Sequence, residues 1–309
     1  MLYAAIIGNV IFILFSFFGF SFVLFELQGN FYHWYRDVAL GKITAVSTGF
    51  FRMTLDEHLL LVPLALLFLN KILKSSIALD KQTQNNKNYW LLAIGYWLLL
   101  IILSINITRI YMVALFIGYL FLFTKQNWKK WIKYGFLTGA IFLISFCSLN
   151  LTATRGQSLG FELLGIRLGS VVSPQIEESS MSRILLLKPI WEKIKTNPVL
   201  GEGLGATVSA YSPVFNAQIT TPHFDWGYFE MLAELGSVGL FIWLSSLTSY
   251  ILGLMTRPKT TDLRPKIDLL APLIALLVIN ITSPALFHSL GIIFIIYLLV
   301  QPYVFDQTE

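Results

Sequence analysis

The sequence is poor in charge and almost without cysteine. Only 13% of its 309 residues are Asp, Glu, Lys or Arg, and Cys147 is the single cysteine. One thiol builds neither an intramolecular disulfide nor a thiolate metal cluster, which excludes a disulfide-stapled secreted module. Cys147 itself sits in an apolar run and reads as a small filler. The scarcity of charge, set against 56% hydrophobic residues and a mean hydropathy of +0.69, excludes a cytosolic enzyme and a disordered tail. Also missing are a DxD pair, an HExxH helix and any His and carboxylate cluster at metal-ligand spacing, so chemistry without metal or cofactor is expected. A net charge of +5 would suggest nucleic acid in a soluble protein; here the placement of the charges gives another account, and no nucleic-acid partner is expected.

What is present is a series of long apolar runs. Leu2 to Phe25 carries no ionisable side chain, and its length of about 36 Å exceeds a hydrocarbon core of about 30 Å. Neither a basic leader nor a small-residue cleavage site marks it as a signal peptide. Further runs cover His58 to Asn70, Tyr89 to Ile107, Ile110 to Thr124, Tyr134 to Leu149, Phe229 to Met255, Leu269 to Thr282 and Leu286 to Val300. The expectation is an all-α membrane helix bundle of about eight spans, a single membrane domain over residues 1–309.

The charges orient it. With a cytoplasmic N-terminus, the inner segments are Lys71 to Asn88, Lys125 to Lys133 and Arg257 to Ile267, and these hold 12 of the 22 basic residues. That one-sided excess is the positive-inside pattern and places both termini in the cytoplasm. The outer side receives Glu26 to Glu57, a tight turn at Thr108 and Arg109, and a long loop, residues 150–226. A loop of that length in a compact domain usually has a function.

Within the loop, apolar residues from Ile184 to Ile194 recur near helical spacing until Asn197-Pro198 ends the run. Gly201-Glu202-Gly203-Leu204-Gly205 follows; no strand precedes these glycines and no Lys-Ser/Thr follows, so they read as turn residues rather than a phosphate loop. Thr221 and Pro222 have the chemistry of an N-cap and a first helical residue, which predicts a helix starting there and running into the sixth span. His223 would fall in its first turn, where the positive end of the dipole favours a neutral, proton-accepting imidazole.

The candidate residues gather at the outer boundary. Arg109 at the turn between the third and fourth spans either snorkels to lipid phosphates or holds an anion, and the residue alone leaves both open. Arg183 by itself reads as a solvated loop charge, and His223 by itself as a capping or interfacial histidine. Glu230, seven residues beyond His223, would share its helix face, with the dipole as a sufficient account of its presence. Glu234 lies deeper and is expected to be buried with a partner, and Asp225 is a weaker candidate. Asn280 is the one strongly polar residue well inside an apolar run.

The stretch "SRILLLKPIWEKIKTNPVLGEGLG", followed by "TPHFDWGYFEMLAELGSVGLFIWL", resembles the O-antigen ligase and Wzy-type polymerase family. The family pattern is an Arg before a Trp-containing helix, then Asn-Pro-x-x-Gly-x-Gly, then a His before a Leu-Ala-Glu-Leu-Gly run. "NITRIYMVALFIGYLFLF" is similar to the same family's Ser/Thr-Arg hairpin between two spans. Two departures accompany the likeness. Phe224, not Asn, follows His223, and the family carries about four spans ahead of the segment that Leu2 to Phe25 resembles.

The resemblance implies a GT-C-like membrane glycosyltransferase of the bacterial cytoplasmic (inner) membrane, using a polyprenyl-diphosphate-linked glycan as donor. The acceptor would be a hydroxyl of a glycolipid, glycan or protein on the outer side. It implies diphosphate binding and charge stabilisation by Arg109 and Arg183, and activation of the acceptor hydroxyl by His223, with Asp225 and Glu230 at the substrate. The diphosphate is itself an activated leaving group, so no cofactor is implied. The alternatives are a protein O-oligosaccharyltransferase and, from another class, a transporter or scaffold for envelope polysaccharide assembly. A transporter would show broken spans and inverted repeats, and the sequence shows no repeat.

Overall fold

Long apolar runs with no water to bond their backbone close into helices, and in the computed structural model they do. It describes residues 2–80, 86–123, 128–172, 178–212, 217–222, 224–256 and 264–305. His223 lies outside the described residues, as do Lys81, Lys125, Arg257 and Lys259. The chain divides into two compact units, Met1–Leu168 and Gly169–Glu309. Among the described residues, five helices are long and apolar enough to cross a membrane, and three shorter apolar helices accompany them.

The first unit is a helical bundle with a structured cap. Its helices are α1 (Leu2–Ser21), α3 (Leu61–Asp80), α4 (Asn86–Asn106), α5 (Arg109–Phe121) and α6 (Trp128–Ala153). α4 is central and packs against α1, α3 and α6. Polar side chains stitch the helices: Tyr96 Oη meets Thr138 Oγ1 at 2.8 Å, and the Trp131 indole donates to the Tyr119 carbonyl at 3.1 Å. The second span is longer than expected. A 3-10 turn, Asp56–Leu60, leads directly into α3, and the membrane-compatible stretch is Asp56–Ser76. Lys71 and Lys74 mark where charge begins without ending the helix, because long lysines can snorkel from a continuing helix. The segment Lys71 to Asn88, expected on the inner side, is accordingly helical at both ends.

The outer segment Glu26 to Glu57, read as a connection, carries its own fold. It contains α2 (Asn30–Asp37) and an antiparallel hairpin, β1 (Lys42–Ser47) with β2 (Phe50–Thr54), whose register shifts between Ala45 and Ser47. Phe50 and Tyr35 are fully buried and join Phe17 and Phe20 of α1 and Phe146 and Leu149 of α6 in one core. The Phe17 and Phe50 rings meet edge-on, 5.0 Å between centroids. α7 (Phe161–Val172) begins in this unit and adds Leu163 to that core.

The second unit holds α8 (Glu178–Thr196), the hairpin β3 (Val208–Ser212) with β4 (Ala217–Thr221), and helices α9 (Gly227–Thr256), α10 (Arg264–Ile279) and α11 (Ser289–Phe305). Two expectations are corrected here. The helix start at Thr221-Pro222 is overruled: Thr221 pairs with Val208 in the hairpin, and α9 begins at Gly227. Cross-strand pairing with a matching strand outweighs a local capping signal. Asn280 is not inside a span, since α10 ends at Ile279. Its buried side chain closes the following turn by accepting from the Leu286 N–H at 2.9 Å. A Cβ on Gly227 would come within 2.4 Å of Asn280 Oδ1, so the first residue of α9 must be this small for the two helix ends to meet.

Candidate functional site

A small core positions the candidate site of the second unit. Ile190 and Ile194 of α8, Val208 of β3, Ala233 of α9 and Phe224 pack together with all five buried. Phe224, which departs from the family pattern, therefore works as an apolar plug that fixes the strand-to-helix turn. Asp225 follows in left-handed conformation, φ 56°, a region that Asp tolerates better than most residues. This turn brings Asp225 to Arg183: the two side chains, both partly exposed, stand 3.8 Å apart, Nε to Oδ2. The Trp226 indole donates to the Arg183 carbonyl at 2.9 Å, so backbone and side chain of Arg183 are both held by the turn. Arg183 Nε is buried and makes no hydrogen bond among the described residues.

Glu230 and Glu234 are both buried and each supports a backbone. Glu230 lies in the first turn of α9 and reaches back to accept from the Phe224 N–H at 3.0 Å. Because α9 starts only at Gly227, the seven-residue spacing from position 223 defines no shared helix face. Glu234 accepts from the Gly205 N–H at 2.8 Å.

That last bond belongs to a larger exchange. α9 is broken at Gly236, whose φ of 66° and ψ of −175° are not helical. In an unbroken helix, the Ser237 and Val238 N–H groups would bond the carbonyls of Ala233 and Glu234. Here the loop after α8 takes both sides of those bonds. Ser237 donates to the Pro198 carbonyl at 2.9 Å and Val238 to that of Val199 at 3.2 Å. In return Glu202 donates to the Ala233 carbonyl at 2.9 Å and Gly203 to that of Glu234 at 3.0 Å. Such proximity requires glycine at two points. A Cβ on Gly201 would lie 2.3 Å from the Glu234 carbonyl oxygen, one on Gly236 2.2 Å from that of Val199, and both glycines have positive φ. The glycines expected as simple turn residues are thus contact residues, and they lock the two blocks of the motif together. The Glu202 carboxylate is paired with Lys193 and receives the Thr196 hydroxyl at 3.3 Å.

Arg109 belongs to the first unit. It is the first residue of α5, half-buried, after Thr108 as N-cap. A cation at the positive end of a helix costs stability, so helix formation does not explain Arg109. The turn that presents it is held by residues sequence reasoning passed over. His58 and Asn106 are fully buried; Asn106 Nδ2 meets His58 Nδ1 at 2.9 Å, and the Leu55 N–H reaches the same nitrogen at 3.3 Å. The Thr108 hydroxyl donates to Asn106 Oδ1, across Ile107 at φ 37°. The only signal was a polar residue at the end of each of two apolar runs. Arg167 of α7, also overlooked, is buried. Among the described residues no three His, Cys, Asp or Glu side chains form a group able to hold a metal.

The structure thus brings Arg183 together with Asp225, and Glu230 with the turn beside them, in the second unit; Arg109 is described in the first. Residues 94–244, just under half of the chain, match the protein-family model described as O-Antigen ligase, Wzy_C. The matched stretch runs from α4 through the Arg109 turn, α8 and the glycine lock into α9 beyond its break. No curated protein and no solved structure matches the chain.

Proposed function

From the O-antigen ligase match over residues 94–244 of this multi-pass membrane protein, we propose a glycosyltransferase that moves a polyprenyl-diphosphate-linked glycan to an acceptor hydroxyl. The observation that carries the reading is Arg183, placed by the Asp225 carboxylate and the Trp226 indole with its side chain still partly exposed, inside the matched stretch. In this reaction the acceptor oxygen attacks the anomeric carbon, the bond from that carbon to the phosphate oxygen breaks, and polyprenyl diphosphate leaves with the electron pair. Arg183 neutralises the charge that grows on the diphosphate, a task for the guanidinium fork, and for Arg109 the family resemblance alone suggests the same role. Asp225 orients Arg183, and Glu230 sustains the turn that carries both. His223 takes the proton from the acceptor hydroxyl. The leaving group supplies its own activation, so the step asks for neither nucleotide nor metal.

The proposed setting is the bacterial inner membrane, with the termini in the cytoplasm and the site on the outer side. Counting α5, α10 and α11 with the five longer helices gives eight spans, and the basic residues of the inner segments support that orientation.

The test is a strain lacking this gene, complemented by wild type or by Arg109→Ala, Arg183→Ala or His223→Ala. Each variant is expected to insert normally and to restore less than about 1% of glycan transfer, about 3 kcal/mol of lost transition-state stabilisation. Surface polysaccharide is read on gels beside the lipid-linked pool. Full-length chains left on the carrier identify a ligase, single repeat units a polymerase, and a missing glycoprotein a protein transferase. Unchanged polysaccharide and glycoprotein with no accumulated lipid-linked glycan refutes the enzyme.

A further inference from the structure

The glycine lock determines the depth of the loop it captures. α9 extends over Gly227–Thr256, longer than the ~20 residues that cross ~30 Å of hydrocarbon. If those 20 residues are counted back from the inner end, the hydrocarbon begins near Ser237; counted from any more outward point, it begins earlier. In either case Val238 lies inside it, and Phe241 and Ile242, 72% and 60% exposed, continue the lipid-facing surface. Val238 is bonded to Val199 and Ser237 to Pro198, so the loop from Pro198 to Gly205 is fixed at the same depth, at the outer margin of the bilayer's apolar core.

The composition and bonding of the loop fit that location. Its protruding side chains are Val199, Leu200 and Leu204, 55%, 76% and 77% exposed. Leucines that project this far from a water-facing loop would expose apolar area at a cost of about 25 cal/mol per Å². Bonding lowers the cost of placing non-helical backbone at the membrane boundary, and part of this loop is bonded: the N–H groups of Gly201, Glu202, Gly203 and Gly205 and the carbonyls of Pro198 and Val199. The one charge in the stretch, Glu202, is neutralised by Lys193. On the adjoining α8, Trp191 is half exposed with the Lys195 ammonium 5.9 Å from its ring centroid, the amphipathic pairing typical of a membrane interface.

We infer that Pro198–Gly205 is a re-entrant loop whose Val199, Leu200 and Leu204 side chains insert among lipid acyl chains, continuous with the lipid-facing surface of α9. The loop thereby ties the Arg183 site to the bilayer surface independently of what that site transfers.

The experiment places an NBD fluorophore at Leu200→Cys or Leu204→Cys, each in a Cys147→Ser background, in phosphatidylcholine nanodiscs. Quenching by doxyl groups at position 5 of the acyl chain is compared with quenching by aqueous iodide. Phe241→Cys serves as the lipid-facing reference and Asp37→Cys, an exposed charged position, as the aqueous one. Doxyl quenching within about twofold of the Phe241→Cys value, with iodide quenching at least about fivefold below that of Asp37→Cys, is the expected result. Iodide quenching equal to the aqueous reference overturns the inference, and so does protection from both quenchers, which would mean that protein covers the loop. Glycan transfer is not measured, so the result stands apart from the enzymatic reading.

Discussion

The two units secure the segments between their long helices by different means. In the first, side chains do it: Phe17, Phe20, Tyr35, Phe50 and Phe146 are buried together, and the cap rests on the helices through ring contacts. In the second, backbone does it: four main-chain hydrogen bonds exchanged between the loop and the break in α9 take the place of packed rings, around a core of five buried side chains. A side-chain core tolerates conservative substitution, because volume can be conserved while identity changes. A backbone lock requires glycine wherever two chains approach within the reach of a Cβ, and it sets positions to within a hydrogen-bond length. The backbone lock joins the loop after α8 to α9, beside the Asp225 and Trp226 side chains that hold Arg183.

Substitutions can break this contrast in a graded way. The largest loss of stability is expected from Phe50→Ala, which empties a fully buried aromatic site at a cost of about 3–5 kcal/mol, while Phe50→Leu keeps most of the volume and costs about 1–2. Thermal unfolding in detergent should show the two well separated. Next comes Gly236→Ala, about 3 kcal/mol, from a Cβ at positive φ plus the loss of lock bonds; here no volume-matched replacement exists, and glycan transfer should fall with stability. Gly203→Ala is the smallest, about 1 kcal/mol. It shares the positive φ, but its Cβ would meet nothing within 4 Å, so transfer should survive. If Gly203→Ala and Gly236→Ala proved equally harmful, close approach would not be what the glycines provide.

The sequence made one class of feature plain and hid another. Apolar runs report spans because hydropathy is a local property: α4 and α9 begin within three residues of Tyr89 and Phe229, while α6 starts six residues ahead of Tyr134, through the lysines that the apolar run left out. The motif block also located Arg183 and the glycines. The cap was not visible, because Phe50 and Tyr35 become a core only through tertiary contact with α1 and with α6, the latter about a hundred positions away. The break in α9 was hidden for a related reason: Gly236 in an apolar run reads as an ordinary small helical residue until the loop that replaces its hydrogen bonds is in place. Thr221-Pro222 misled in the opposite direction, a sound local signal overridden by strand pairing with Val208. Glu230, expected at the substrate or explained by the helix dipole alone, does lie in the first turn of α9, and its carboxylate also accepts from the Phe224 N–H, a bond the sequence did not show.

Hydrogen exchange reads the exchange of bonds between the loop and α9 directly. In nanodiscs, peptides reporting the amides of Glu202 and Gly203 should exchange at least about a hundredfold more slowly than an open loop, with protection matching that of Ser237 and Val238. In Gly236→Ala both sets should lose protection together. Fast exchange at Glu202 and Gly203 in the wild-type protein, with Ser237 and Val238 still protected, would contradict the lock: it would mean that α9 satisfies its own break and that the loop lies free of it.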